Sequence, residues 1–261
     1  MRYVLFLVSL ALFFCGCTRI IRETRYVHTA NTVYCKHEIA LQKVEENRKN
    51  IVFVYGNNLS GSIVTFGTGV IIDEKGLVLT AYHVLRDKNV ASKFIRFNEH
   101  GRPIVKEVLF EVNSEKDDLS ILYIGHRFRS TVKVAKNVQK SGEPIFTIGR
   151  TLLNDFGKIF DKDGFMDYSD KISFGHVLMH TRFYSLSDGL DTIMTGSDMH
   201  TLPGMSGAPI FNFNGEVVGI LSRNGQMQQL RNSFTWHIEI SHLKELLEKK
   251  RDLLKDLLPK K

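Results

Sequence analysis

The chain has 261 residues of ordinary globular composition, 43% hydrophobic and 24% charged, with a formal net charge of +7. That composition excludes extended disorder, and the length allows one large domain or two small ones with a substantial core. Of the three cysteines, Cys15 and Cys17 fall in the N-terminal leader and only Cys35 follows it, which excludes a disulfide framework and leaves stability to packing.

The leader carries Arg2 and then a run from Val4 to Phe14, apolar but for Ser9, ending in Cys15-Gly16-Cys17. Such a run is too short to cross about 30 Å of hydrocarbon, so residues 1–17 read as an export signal and not as a membrane span. Its end resembles a bacterial lipobox with Cys17 as the lipidated residue, although Phe14 and Cys15 depart from the usual aliphatic and small residues. A lipid anchor on Cys17 and plain secretion both stay open. Thr18 after the cysteine makes outer-membrane attachment the default for an anchored form, and the expected location is the periplasm or cell envelope.

Residues 18–50 are mixed and charged and read as a tether or docking segment, with a short helix over about 37–48. From Ile51 the pattern changes to short runs rich in Val, Ile, Phe and Thr: IVFVYG, SIVTF, GVIID, LVLTA, KFIRF, VKEVLFEV and LSILYI. After a less patterned stretch over 127–141 come EPIFTIG, KISFGHVLMH, DTIMTGS, APIFNF, EVVGILS and SFTWHIEI. Short strands in quick succession, without intervening helices, predict an all-β barrel or sandwich and not βαβ units. Asn212-Phe213-Asn214-Gly215 is a hairpin turn, since Asn and Gly accept positive φ at low cost. The segment from Ser241 to Leu258 repeats leucines at helical spacing, with Ser241 placed to cap it, and predicts a helix packed on the barrel.

Three stretches carry chemistry. LPGMSGAPI places Ser206 between Gly204 and Gly207; LVLTAYHVL places His83 just after a strand; KDDLSILYI opens on Asp117 and Asp118 and continues as an apolar strand. A serine hydroxyl is a poor nucleophile unless an imidazole takes its proton, an acid orients that imidazole, and donors meet the developing oxyanion. A G-x-S-x-G elbow is excluded, because that motif needs a helix after its serine and APIFNFNGEVVGI reads as a hairpin.

Taken together the three stretches resemble trypsin-like serine proteases. Thr80-Ala81-Tyr82-His83 is similar to the family's Thr-Ala-x-His signature, Asp118-Leu119-Ser120-Ile121-Leu122 matches its acid-bearing strand, and Gly204-Met205-Ser206-Gly207-Ala208-Pro209 resembles its Gly-x-Ser-Gly-Gly-Pro loop. The order His, Asp, Ser is that of chymotrypsin. The resemblance covers about residues 51–240. It implies two six-stranded antiparallel Greek-key β-barrels, one over about 51–130 and one over about 140–240. With the C-terminal helix over about 241–258, the protease domain runs over 51–258. The activity it implies is hydrolysis of peptide bonds in protein or peptide substrates, without a cofactor.

In that reading His83, Asp118 and Ser206 form the triad, with Asp117 as an exposed neighbour, and the amides of Gly204 and Ser206 form the oxyanion hole. Thr201 and Leu221 fall where the primary pocket is lined. Ser222 lies on the strand that pairs with substrate and also stands to support Asp118. Met205 replaces the aspartate with which chymotrypsin-type zymogens hold a new N-terminus, so the resemblance is closer to bacterial HtrA and glutamyl-endopeptidase enzymes. The residues after Ser206 complete the barrel and one helix, so no PDZ domain is expected. Ala208 replaces a family glycine, which keeps a second expectation open: a protease-fold module that binds peptides with little turnover. Neither an acidic nor a basic primary preference is supported, which leaves small or apolar side chains.

No metal site is expected. His176 and His180 lie on a strand, and Asp161-Lys162-Asp163-Gly164 lacks EF-hand spacing. The basic C-terminus from Lys249 to Lys261 reads as a solvated or membrane-near face and not as a nucleic-acid surface.

Overall fold

The computed structural model describes residues 38–152, 168–185, 189–226 and 233–249. The predicted export signal, Cys17, most of the tether, the acidic segment at 161–167 and the chain beyond 249 lie outside them. The chain divides into two compact units, Met1–Gln42 and Lys43–Lys261. In the first, residues 38–42 are helical; the second opens with helical residues 43–48 and holds all the strands that follow.

Seven strands form the first sheet: β1 (Ile51–Asn57), β2 (Ile63–Asp73), β3 (Leu77–Ala81), β4 (Ser92–Glu99), β5 (Arg102–Glu107), β6 (Phe110–Ser114) and β7 (Leu119–Tyr123). They hydrogen-bond in the order β5-β4-β1-β2-β3-β7-β6. Val108 and Leu109 join β5 to β6 and donate to Lys93 O on β4 and Tyr123 O on β7, so one bent strand closes the sheet into a barrel. The single run VKEVLFEV of the sequence is therefore two strands bent at Val108-Leu109. Conversely, SIVTF and GVIID fuse into β2. Gly67 between them and Gly69 at the start of the second are glycines inside a strand because a Cβ at either would be crowded, by Ser206 O and Val84 in one case and by Val54 and Val78 in the other.

The second sheet holds β8 (Lys133–Val134), β9 (Pro144–Leu152), β10 (Tyr168–Ser185), β11 (Leu190–Ser197), β12 (Pro209–Asn212), β13 (Glu216–Gln226) and β14 (Ser233–Glu239). β12 pairs with both β9 and β13, which closes six strands into a ring, and the short β8 joins β13 in parallel from outside it. Counting the bent β5–β6 once, both rings carry six antiparallel strands in the same cyclic order of fourth, first, second, third, sixth and fifth. The fold class expected from the sequence holds, with β8 as an addition in the stretch between the barrels.

Three apolar clusters follow the architecture. One belongs to the first barrel (Val52, Val54, Ile71, Val78, Ile95, Leu122), and one to the second (Ile145, Val177, Met205, Ala208, Ile210, Leu221). The largest joins both, with Ile51, Val70 and Leu79 against Phe146, Phe211 and Ile238. Helix α1 (Ile240–Lys249) adds buried Leu243 and Leu246 to this shared cluster. It continues directly from β14, so Ser241 stands within its first turn and not ahead of it as a cap.

Candidate active site

His83 sits on a single 3-10 turn, Tyr82–Val84, directly after β3. Buried Val84 and the Leu85 N–H bond to Tyr82 O fix this turn, so the imidazole leaves the barrel from a rigid strand end. Asp118 precedes β7 at φ 49, an uncommon conformation for a residue with a side chain. Its carboxylate is 2% exposed and fully engaged. It accepts from His83 N–H at 2.9 Å, meets His83 Nδ1 at 2.8 and 3.1 Å, and takes the Ser222 hydroxyl on Oδ2. Burial of a carboxylate is tolerable only with such donors. Nδ1 held by a carboxylate leaves Nε2 as the nitrogen that can accept a proton.

Asp117 is not the exposed neighbour expected from an acidic pair before a strand. It is 4% exposed, 3.0 Å from His242 Nδ1 on α1, and accepts the Ser114 hydroxyl at 2.6 Å. Burial alone would raise its pKa; the hydrogen bonds from His242 and Ser114 outweigh that and hold the carboxyl below its ordinary value.

Ser206 comes from the second barrel, on the turn between β11 and β12. Gly207 explains how it reaches the first barrel. At φ 85, a Cβ there would collide with Thr68 O and Thr80 Oγ1 and stand 3.0 Å from Ala81 N. The glycine thus lies flat against the strand that ends two residues before His83. On the other side Met205, fully buried, fills the second barrel's cluster; a Cβ on Gly149 would lie 2.6 Å from its side chain. Ala208 is also fully buried there, so its methyl faces the core and not the cleft.

The backbone of this turn can be accounted for group by group. Pro203 O accepts from Thr151 Oγ1 at 2.9 Å and Gly204 O from Thr68 Oγ1 at 2.8 Å. Met205 N–H donates to Leu202 O, Met205 O accepts from Ala208 N–H, Ser206 O accepts from Thr68 N–H, and Gly207 N–H donates to Leu221 O. Among the described residues, the amides of Gly204 and Ser206 are the two backbone donors of this turn with no protein acceptor. The Ser206 hydroxyl donates to Ser222 O at 3.5 Å, and among the described residues no hydrogen bond joins it to His83.

Thr201 is 8% exposed and its hydroxyl lies 3.2 Å from that of Thr235, which donates to Met199 O. Leu221 is 3% exposed and packs in the second barrel's cluster. The structure thus brings His83, Asp118, Ser206, Gly204 and Ser222 into one connected site, with Thr201 and Leu221 on barrel-two strands and turns behind it. Among the described residues, no group of three His, Cys, Asp or Glu side chains suits a metal ion.

Sequence reasoning missed Thr68, Arg150 and Thr151. Thr68 is fully buried; besides Gly204 and Ser206 it binds Arg150 N–H at 2.7 Å, and its carbonyl accepts from Thr80 Oγ1 at 2.7 Å. Arg150 reaches Ile51 O at 2.8 Å, pairs with Asp170 and stacks 4.9 Å above the Tyr168 ring. The available signal was Gly67-Thr68-Gly69, two strand-interior glycines flanking a polar residue.

Comparison with known proteins identifies the family and the fold. The trypsin-like peptidase domain family matches residues 67–220. A protein of Pseudomonas putida (strain W619), named a probable periplasmic serine endoprotease DegP-like, is 29% identical over 160 residues, covering 61% of this chain and 29% of its own. A protein of the same name from Marinomonas sp. (strain MWYL1) is 30% identical over 164 residues, covering 62% and 30%. The chain therefore spans less than a third of the length of these curated relatives. Among solved structures, the serine endoprotease from Yersinia pestis superposes with a TM-score of 0.59 at 21% identity, covering 80% of this chain and 65% of that one. A protease from M. tuberculosis in its active form gives 0.61 at 16%, covering 79% and 83%. Both share the fold.

Proposed function

The chain belongs to the trypsin-like peptidase domain family, and from that premise we propose that it is a serine endopeptidase acting through Ser206, His83 and Asp118. Ser206 Oγ attacks the substrate carbonyl while His83 Nε2 takes its proton, and Asp118 on Nδ1 fixes the tautomer and stabilises the imidazolium that forms. The amides of Gly204 and Ser206 receive the oxyanion. His83 then gives the proton to the leaving amine, and water repeats the sequence on the acyl-enzyme. The observation that carries this reading is the backbone account of the turn: the two amides left without an acceptor are the pair that flanks the nucleophile's attack. Removing one such donor typically costs about 2.7–4 kcal/mol of transition-state stabilisation.

Substrates are proteins or peptides, and the uncharged side chains of Thr201 and Leu221 favour small or apolar side chains at the cleaved bond. The site of action is the periplasm or cell envelope, supported by the apolar leader and by the name of the curated relatives. Residues 1–17 serve as export signal, Cys17 as the lipid-bearing residue of an anchored form, 18–50 as tether and 51–258 as the protease domain.

One observation favours a second reading, a peptide-binding module: the Ser206 hydroxyl donates to Ser222 O and not to His83. Digestion of an unfolded protein such as casein separates the two. The endopeptidase reading expects fragments with wild type and none with Ser206→Ala; retention of intact peptide by both, without cleavage, overturns it in favour of the binding module.

A further inference from the structure

We infer that Thr151 and Thr68 are positioning residues that set the direction of one oxyanion donor, the Gly204 amide. The inference rests on the endopeptidase reading. In a trans peptide unit the C=O and the N–H of the next residue point opposite ways, so fixing one fixes the other. Pro203 O and Gly204 N–H share such a unit. Its carbonyl is held by the Thr151 hydroxyl at 2.9 Å, so the Gly204 amide points away from Thr151.

The next unit, Gly204–Met205, is held by the Thr68 hydroxyl on Gly204 O at 2.8 Å and by Leu202 O on the Met205 amide. Met205–Ser206 is held within the turn, by Ala208 N–H on Met205 O. Ser206–Gly207 is tied by Thr68 N–H and by Leu221 O. Of these restraints, the two threonine hydroxyls are the side chains that reach in from outside the turn.

Gly204 is where such restraint matters most. At φ 91 and without a Cβ, its two flanking peptide units have more rotational freedom than at any other residue type. Phe66 and Arg150 O stand within 2.9 Å of where its Cβ would be, so a bulkier residue cannot replace the hydroxyls as a restraint. Thr68 acts across the barrels: it is fully buried on β2, and the same hydroxyl that donates to Gly204 O accepts from Arg150 N–H on β9. Thr151 acts from β9 itself.

The test compares Thr68→Val and Thr151→Val with Thr68→Ser and Thr151→Ser in the full chain. It uses steady-state cleavage of a peptide substrate and inhibition by a peptide aldehyde, whose adduct places an oxygen anion at the donors. The valine variants are expected to lose about tenfold or more in kcat with KM nearly unchanged, and to bind the aldehyde correspondingly more weakly. The serine variants, which keep the hydroxyl, are expected within about threefold of wild type on both measures.

Folded valine variants with wild-type kcat and aldehyde affinity overturn the inference. So do serine variants as impaired as valine, since packing of the methyl would then be the cause. If Thr68→Val does not fold, the more exposed Thr151 decides the matter by its own pair. A wild-type chain that cleaves nothing overturns the endopeptidase reading instead, whereas an active wild type with unaffected variants overturns this inference alone.

Discussion

The two barrels share one strand order but divide the work unequally. The first contributes His83 and Asp118 from the ends of β3 and β7, neighbouring strands whose pairing runs from Leu77↔Tyr123 to Ala81↔Leu119. The proposed acid–base pair lies within this barrel, apart from the Ser222 hydroxyl. The second barrel contributes Ser206 from a turn, and that turn is shaped by contacts with the other barrel: Thr68 on two of its carbonyls, and Gly207 pressed against Thr80 and Ala81. Groups that must keep a fixed hydrogen bond come from strand ends. The group proposed to present free donors comes from a turn held by its neighbours.

The largest effect on this comparison comes from uncoupling the first barrel's pair. Asp118→Asn keeps the shape but removes the charge that fixes the His83 tautomer, and kcat for peptide hydrolysis is expected to fall roughly 10³–10⁴-fold with the fold retained. Next comes the contact between the barrels. Gly207→Ala forces a Cβ into Thr68 and Thr80 at a positive φ, so urea unfolding should show a loss of more than about 2 kcal/mol. A Gly207→Ala chain as stable as wild type would mean that the turn does not need the first barrel's wall.

A third prediction separates the barrels by pH. His237 on β14 is fully enclosed, and burial, with the nearby His180 adding to it, pulls its pKa down from 6.5 to about 3. A folded-state pKa below the unfolded one favours the neutral ring. Its stabilisation is therefore full above about 6.5 and declines as pH falls toward about 3, by up to several kcal/mol. Asp117 loses its contribution in a lower window, since its pKa is depressed below the ordinary carboxylate value. Denaturant midpoints measured from neutral to mildly acidic pH should fall in wild type and flatten in His237→Gln; parallel curves would remove His237 as the cause.

The smallest effect is expected at Ala208. Its methyl is buried among Met205, Ile210 and Leu221, so Ala208→Gly should cost about 1 kcal/mol of stability and change kcat less than about threefold.

The strands, the class of fold and the three motif stretches were legible because each is local: period-two patterning, or a few contiguous residues around His83, Asp118 and Ser206. What the sequence hid is what depends on partners far along the chain. Asp117 looked solvated until His242 arrived from α1, more than a hundred residues later. Thr68 looked like any strand threonine, because its partners at Arg150, Gly204 and Ser206 become neighbours only once the two barrels meet. VKEVLFEV reads as one strand because its bend at Val108-Leu109 is imposed by the two strands it must join, and not by a turn residue.

Covalent labelling tests most directly whether Ser206 is an activated nucleophile. The full chain is treated with a fluorophosphonate, digested, and the modified residue located by mass spectrometry. One adduct is expected, on Ser206, absent in Ser206→Ala and strongly slowed in His83→Ala. A folded wild-type chain that takes no label, or takes it on another residue, contradicts it.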